Sequence, residues 1–157
     1  MLMLGFSAGL PLFLIFSSLS LWLREAGIEK SAVTYFSWAA LGYSFKFIWA
    51  PLVDRLPVPL LTRALGLRRS WLLVSQIFIF MAISFMALTD PSVDEQLVYM
   101  ALSAVLLGFS SATQDISIDA YRIEAVDADM QAMASAAYMA GYRLGMMLSS
   151  AGVLYLA

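Results

Sequence analysis

The stretch Ser110-Ser111-Ala112-Thr113-Gln114-Asp115-Ile116-Ser117-Ile118-Asp119-Ala120-Tyr121-Arg122 constrains the fold more than any other part of the chain, because it closes a long apolar segment with charges. Asp115, Asp119 and Arg122 follow i, i+4, i+7 spacing, so on a helix they form one stripe while Ile116 and Ile118 face elsewhere. A charge at the centre of a lipid-embedded helix costs roughly 2.5 to 3.5 kcal/mol, so such a stripe belongs against protein or a water-filled path. It reads as the polar wall of a transport route.

The lipid setting itself follows from composition. Of 157 residues, 62% are hydrophobic and only 13% charged, against about 25% charged in an ordinary soluble domain. The chain is therefore expected to be an integral membrane protein. A net charge of −2 argues against a nucleic-acid partner, which needs a basic face. Cysteine and histidine are both absent, which removes disulfides and the usual soft metal ligands. Proton handling near neutral pH must then fall to carboxylates or to a perturbed Lys or Tyr.

Five apolar segments, at about residues 1–22, 32–53, 71–88, 96–121 and 130–156, are long enough to cross a hydrocarbon layer of ~30 Å. The expected fold is all-α, a polytopic membrane helix bundle. Gly5 and Gly9, and again Gly141 and Gly145, are GxxxG pairs that permit close helix contact. Ser31 is the expected N-cap of the second helix. Lys and Arg are concentrated between the second and third segments, as Arg55, Arg63, Arg68 and Arg69, and are absent from the acidic turn Asp90–Glu95. The positive-inside bias then puts the N-terminus and the long 54–70 connection in the cytoplasm and the acidic turn outside.

Helical rise relates residues that are distant in sequence. Lys46 and Asp115 each lie ~10 Å from the cytoplasmic boundary, so they are candidates for a pair. Lys46 has two readings, snorkelling to the interface or a buried pair on the pathway. Asp115 likewise is a strut if paired and a proton carrier if not. Asp119 could answer to Arg122 or to the loop arginines, and the two readings for Asp119 and Arg122 are a pathway role and an ion-pair lock. Arg143 sits ~20 Å from the cytoplasmic side, too deep to snorkel easily, and offers a donor fork suited to an anion. Tyr138 and Tyr142, near it in sequence, read either as stacking surfaces for sugar rings or as packing.

Enzymatic readings fare worse. An intramembrane aspartyl protease needs carboxylates converging from different elements, whereas Asp115 and Asp119 share one helix. No metal site or nucleotide fingerprint is present, and no cofactor is expected.

Five motifs in order carry a resemblance: Phe6-Ser7-Ala8-Gly9-Leu10-Pro11, Trp22-Leu23-Arg24-Glu25-Ala26-Gly27, Phe45-Lys46-Phe47-Ile48-Trp49-Ala50-Pro51-Leu52-Val53-Asp54-Arg55, the Ser111–Arg122 stretch, and Gly141-Tyr142-Arg143-Leu144-Gly145. Together they resemble the AmpG-type anhydromuropeptide permeases, and less closely the acetyl-coenzyme A transporters. The resemblance implies part of the N-terminal six-helix half of a major facilitator fold in the cell inner membrane, importing cell-wall sugar-peptides with protons, its cavity completed by a C-terminal half. It assigns Lys46, Asp115, Asp119 and Arg143 to substrate or proton handling, with Gln114, Tyr138 and Tyr142 beside them. Asp54-Arg55 and Gly66-Leu67-Arg68-Arg69 resemble a loop that locks helix ends, which gives Asp54, Arg55, Arg68, Arg69 and Arg122 gating or structural roles. An acyl-coenzyme A or other organic-anion carrier is the alternative cargo reading, and a non-transporting helical scaffold the alternative outside transport.

Overall fold

The computed structural model describes residues 1–13, 38–90 and 93–156, with Leu19, Leu21 and Gly27 between the first two blocks. Within these the secondary structure is helical, without strands: α1 (Leu2–Phe13), α2 (Ala39–Ser44), α3 (Lys46–Arg55), α4 (Leu61–Leu65), α5 (Leu67–Ala87), α6 (Asp94–Ala125), a 3₁₀ turn (Ala128–Met130) and α7 (Gln131–Leu156). The expectation that Ser31 caps a helix lies outside the described residues.

The distribution of side chains is inverted relative to a soluble protein. Phe80 is 72% exposed and Phe85 63%, whereas Ser70, Ser75, Gln114 and Ser117 are buried. Several interior hydroxyls satisfy themselves along their own helices: Ser75 donates to Trp71 O at 2.9 Å, Ser103 to Tyr99 O at 2.8 Å and Ser117 to Thr113 O at 3.0 Å. That arrangement suits lipid outside and protein inside, because hydrocarbon offers polar groups no partner. Among the described residues two helices are long and apolar enough to cross a membrane, Leu67–Ala87 and the Gln96–Ala125 portion of α6.

The long α6 is the centre of the bundle. It packs along α5 and also touches α1, α2 and α3, while α1 packs mainly on α7. Close approach is achieved with glycine, as expected where lipid tails remove the hydrophobic drive and contact must come from van der Waals packing. Added side chains at Gly5 and Gly9 would run into the Tyr138 and Tyr142 carbonyls, and at Gly141 and Gly145 into those of Leu2 and Phe6. The two GxxxG pairs thus face each other across one backbone-to-backbone seam. On the other side of α6, a Cβ on Gly42 would stand 3.0 Å from the Gly108 carbonyl carbon. Nearby, Trp49 stacks on Phe109 with ring centroids 4.2 Å apart.

Two expectations need correction. The 32–53 segment is not one helix among its described residues: it breaks at Phe45, with φ −102° and ψ 10°, and Ile48 N–H bonds Phe45 O three residues back. Neither glycine nor proline stands at 45, so the break has no local signal; contacts on both sides of it, Gly42 on Gly108 and Trp49 on Phe109, fix the two pieces against α6. The 54–70 connection is also shorter than expected. Asp54 and Arg55 finish α3, Arg68 and Arg69 start α5, and α4 occupies the space between. Gly66, at φ 81°, makes the turn from α4 into α5 in a conformation that a side chain would resist.

Candidate functional site

Three helices converge on Asp115 of α6. Lys46 opens α3 directly after the Phe45 break and sets its Nζ 3.7 Å from Asp115 Oδ2. From α7, Tyr138 donates its hydroxyl to Oδ1 at 3.0 Å. The Lys46 side chain is 39% exposed and that of Asp115 17%, so the pair lines the edge of the bundle instead of being sealed within it. Tyr142 stands beside Tyr138, ring centroids 6.0 Å apart. Tyr43 of α2 lies next to Ser111, whose buried Oγ has no partner in hydrogen-bonding geometry.

One residue before Asp115, Gln114 is buried and ties α6 to α1: its Nε2 donates to Ser7 Oγ at 2.9 Å, and Ser7 in turn donates to Leu4 O at 3.2 Å. One turn after it, Asp119 meets Arg122 Nη2 at 3.5 Å. Arg122 also donates to Ser135 Oγ at 2.5 Å, and its guanidinium lies 6.0 Å from the Tyr138 ring centroid. Tyr138 therefore touches both clusters, with the carboxylate at its hydroxyl and the guanidinium near its ring. Such cation–π contacts contribute ~0.5–1 kcal/mol at exposed sites and more when desolvated.

At the end of α6 a second charged cluster joins three helices. Arg68 of α5 donates to Asp54 Oδ1 of α3 at 2.5 Å and to Glu124 Oε1 of α6 at 2.8 Å through Nη2 and 2.9 Å through Nε. The side chain of Arg68 is only 15% exposed, and its planar fork lets one cation serve two carboxylates.

The structure thus brings Lys46 to Asp115, Asp119 to Arg122, and Arg68 to Asp54. It does not bring Arg143 to any of them: Arg143 is exposed on α7 and makes no ion pair or hydrogen bond among the described residues. Tyr138 and Tyr142 turn toward Asp115, whereas the Arg143 side chain is exposed. Arg55 is exposed without an ion pair among the described residues, and Arg69 lies over the Tyr121 ring at 6.0 Å. Three partners were missed from sequence: Glu124, Ser7 and Ser135. Glu124 had a usable signal. It continues the helical run past Tyr121 without a breaker, and α6 does extend to Ala125.

Comparison with known proteins supplies the context for this geometry. The sequence matches the family model described as acetyl-coenzyme A transporter 1 over residues 1–157. A transporter of Rickettsia felis named AmpG 4 is 43% identical over 98% of this chain and 36% of its own length. The anhydromuropeptide permease of Escherichia coli K12 is 40% identical over 100% of this chain and 31% of its own length. The chain spans about a third of the length of these curated relatives. The sequence is similar to the AmpG permeases along almost all of its length. The chain is a helical, multi-pass membrane protein, and it belongs to the acetyl-coenzyme A transporter 1 family.

Proposed function

We propose that the chain forms part of a proton-coupled permease that imports cell-wall anhydromuropeptides across the inner membrane. The observation that carries the reading is the meeting of Lys46, Asp115 and Tyr138 from three helices, since ionisable groups at membrane depth mark ion and substrate pathways. The cargo rests on the similarity to the Escherichia coli permease. In this reading five spans run with the N-terminus in the cytoplasm, within one six-helix half of a major facilitator fold, and the opposite wall of the cavity comes from a C-terminal half. Asp115 carries the proton, Lys46 and Tyr138 hold its carboxylate, and Arg122 with Asp119 borders the path on the cytoplasmic side. The chain transports and does not catalyse a reaction. The Arg68–Asp54–Glu124 cluster ties the cytoplasmic ends of α3, α5 and α6 and acts as a gate.

Uptake of labelled anhydromuropeptide into cells expressing the natural full-length protein, with and without a protonophore, tests this reading. Asp115→Asn is expected to abolish protonophore-sensitive uptake at normal membrane abundance. Uptake that persists unchanged in Asp115→Asn refutes the site. A loss of folded protein without selective loss of transport supports a helical scaffold instead. A second cargo, an acyl-coenzyme A or other organic anion, is favoured by one feature, the exposed Arg143 guanidinium without a protein partner among the described residues. Competition of uptake by acetyl-coenzyme A, lost in Arg143→Gln, separates the two.

A further inference from the structure

Ser103, Thr113 and Ser117 of α6 each return their hydroxyl to the carbonyl four residues back. Ser111 does not, although the Leu107 carbonyl stands one turn behind it. Its side chain is buried, at 4% exposure, and its Oγ has no protein partner in hydrogen-bonding geometry. A buried hydroxyl left unbonded costs ~1–3 kcal/mol, so this one is turned toward something other than its own helix. Ser111 and Asp115 are one turn apart, which puts both on the same face of α6 with Cβ atoms ~5–6 Å apart. The close seating of Gly42 on Gly108 then brings the next residue of α2, Tyr43, against Ser111 and within electrostatic range of Asp115. We propose that Tyr43 and Ser111 form the hydroxyl relay by which a proton reaches and leaves Asp115. The proposal rests on the reading of Asp115 as the proton carrier.

The groups around Asp115 differ in what they let a proton do. Lys46 of α3 stands at Oδ2 on the open edge of the site, and an ammonium group donates only and repels an arriving hydronium ion. Tyr138 of α7 commits its hydroxyl to Oδ1 and has the Arg122 guanidinium near its ring. On the next turn of α6, Asp119 is engaged by Arg122. From α5, Arg68 is held by Asp54 and Glu124. No residue of α1 has a titratable side chain, and it meets α6 here through Ser7 and Gln114. Tyr43 and Ser111, with Tyr142 of α7 beside Tyr43, supply neutral hydroxyls instead, and a hydroxyl both donates and accepts. In one passage a hydronium ion gives its proton to the Tyr43 oxygen, the Tyr43 O–H proton moves to Ser111 Oγ, and the Ser111 proton moves to a carboxylate oxygen of Asp115, directly or through one bridging water. A water molecule is left behind, both hydroxyls keep one proton each, and the net change is a neutral carboxyl at Asp115.

The test separates proton delivery from cargo movement in the full-length protein reconstituted into liposomes. Uptake of labelled anhydromuropeptide driven by an imposed pH gradient requires net proton transfer. Counterflow exchange of the same compound at equal pH does not. Tyr43→Phe and Ser111→Ala should each slow gradient-driven uptake about tenfold and leave counterflow unchanged. That is less than the ~10²–10⁴ supplied by a positioned proton-transfer group, because water takes over part of the role. Ser103→Ala, which removes a self-bonded hydroxyl from the same helix, should alter neither rate. Gradient-driven uptake that survives both relay variants overturns the proposal while leaving Asp115 as the proton carrier. A parallel fall of counterflow and gradient-driven uptake also overturns it, since the hydroxyls would then hold cargo or fold. A wild type that exchanges cargo but ignores the pH gradient refutes the proton-carrier reading itself, and the relay falls with it.

Discussion

Alanine at Gly141 should be far more damaging than alanine at Gly152, although both lie on α7. At Gly141 the added methyl carbon would stand 2.9 Å from the carbonyl carbon of Leu2 and 3.0 Å from the amide nitrogen of Phe6, and closer still to the Leu2 oxygen. Contacts of this kind are comfortable at ~3.5–4.0 Å, so α1 must withdraw by roughly 1 Å. No rotamer change relieves the clash, because every atom met is backbone. Withdrawal also loosens the contacts at Gly5, Gly9 and Gly145, which share the seam. Overpacking of this kind costs ~1–3 kcal/mol. At Gly152 nothing lies within 4 Å of the added carbon, and replacing a helical glycine by alanine gains ~0.8–1 kcal/mol. Gly141 is helical too, so that gain is common to both positions and the two substitutions should differ by the overpacking cost, ~1–3 kcal/mol. The assay is reversible unfolding of the full-length protein in mixed micelles, followed by helical circular dichroism against the fraction of denaturing detergent. Gly5→Ala combined with Gly141→Ala should cost less than the two separately, since both press on one seam. Equal stability of Gly141→Ala and Gly152→Ala would falsify the backbone-contact argument.

Three further substitutions examine the polar clusters. Lys46→Met leaves the Asp115 carboxylate with Tyr138 as its remaining partner and should lower folded yield; adding Asp115→Asn should restore the yield while uptake stays absent, as quantified by size-exclusion chromatography and transport in parallel. Tyr138→Phe removes one hydrogen bond to a charged group and keeps the ring beside Arg122, so stability should fall by about 1.5–3 kcal/mol at most; equality with Tyr138→Ala in the same unfolding assay would contradict the ring's packing role. Arg68→Ala releases Asp54 and Glu124, both half-exposed, and should cost only ~0.2–1 kcal/mol per pair. If the cluster acts as a gate, a cysteine placed at Ala120 should nonetheless label faster with a water-soluble maleimide in Arg68→Ala; an unchanged rate argues against that role.

Sequence reasoning reached the helical class because burying apolar side chains in lipid leaves a composition that no soluble domain shows. It also reached the Lys46–Asp115 proximity, since helical rise converts sequence position into depth whenever two helices start from a common boundary. Helical spacing put Tyr142 about 100° around the axis from Arg143, but it could not say which of the two faces the bundle. Arg143 and Tyr142 are adjacent in sequence, yet one is exposed and the other faces the Asp115 cluster. Depth places both at one level and says nothing of direction. The Phe45 break was hidden for a related reason, because it is fixed by contacts with α6 and not by a residue that disfavours helix.

Those contacts also explain why the charged residues gather along one part of α6. Its 96–110 half meets its neighbours through Met100, Ala104 and Leu107, buried and apolar, and through Ser103, whose hydroxyl bonds Tyr99 O of its own helix. From Ser111 onward polar contacts are added to apolar ones such as Ile118 against Ala8, Leu72 and Tyr138, and each polar contact goes to a different helix: Gln114 to α1, Asp115 to α3 and α7, Glu124 to α5. Polar contacts can be exchanged for water at low cost where water reaches them, whereas the apolar half gains nothing from lipid by separating. A bundle built this way is expected to open at the charged end and stay joined at the other. Disulfides introduced across each half test that polarity. One joining α5 and α6 at Ala82 and Leu107 should leave uptake intact, and one joining α3 and α6 at Asp54 and Glu124 should stop it until reduced. Arrest by the first, with the second tolerated, would place the moving end of the bundle opposite to where its charges lie.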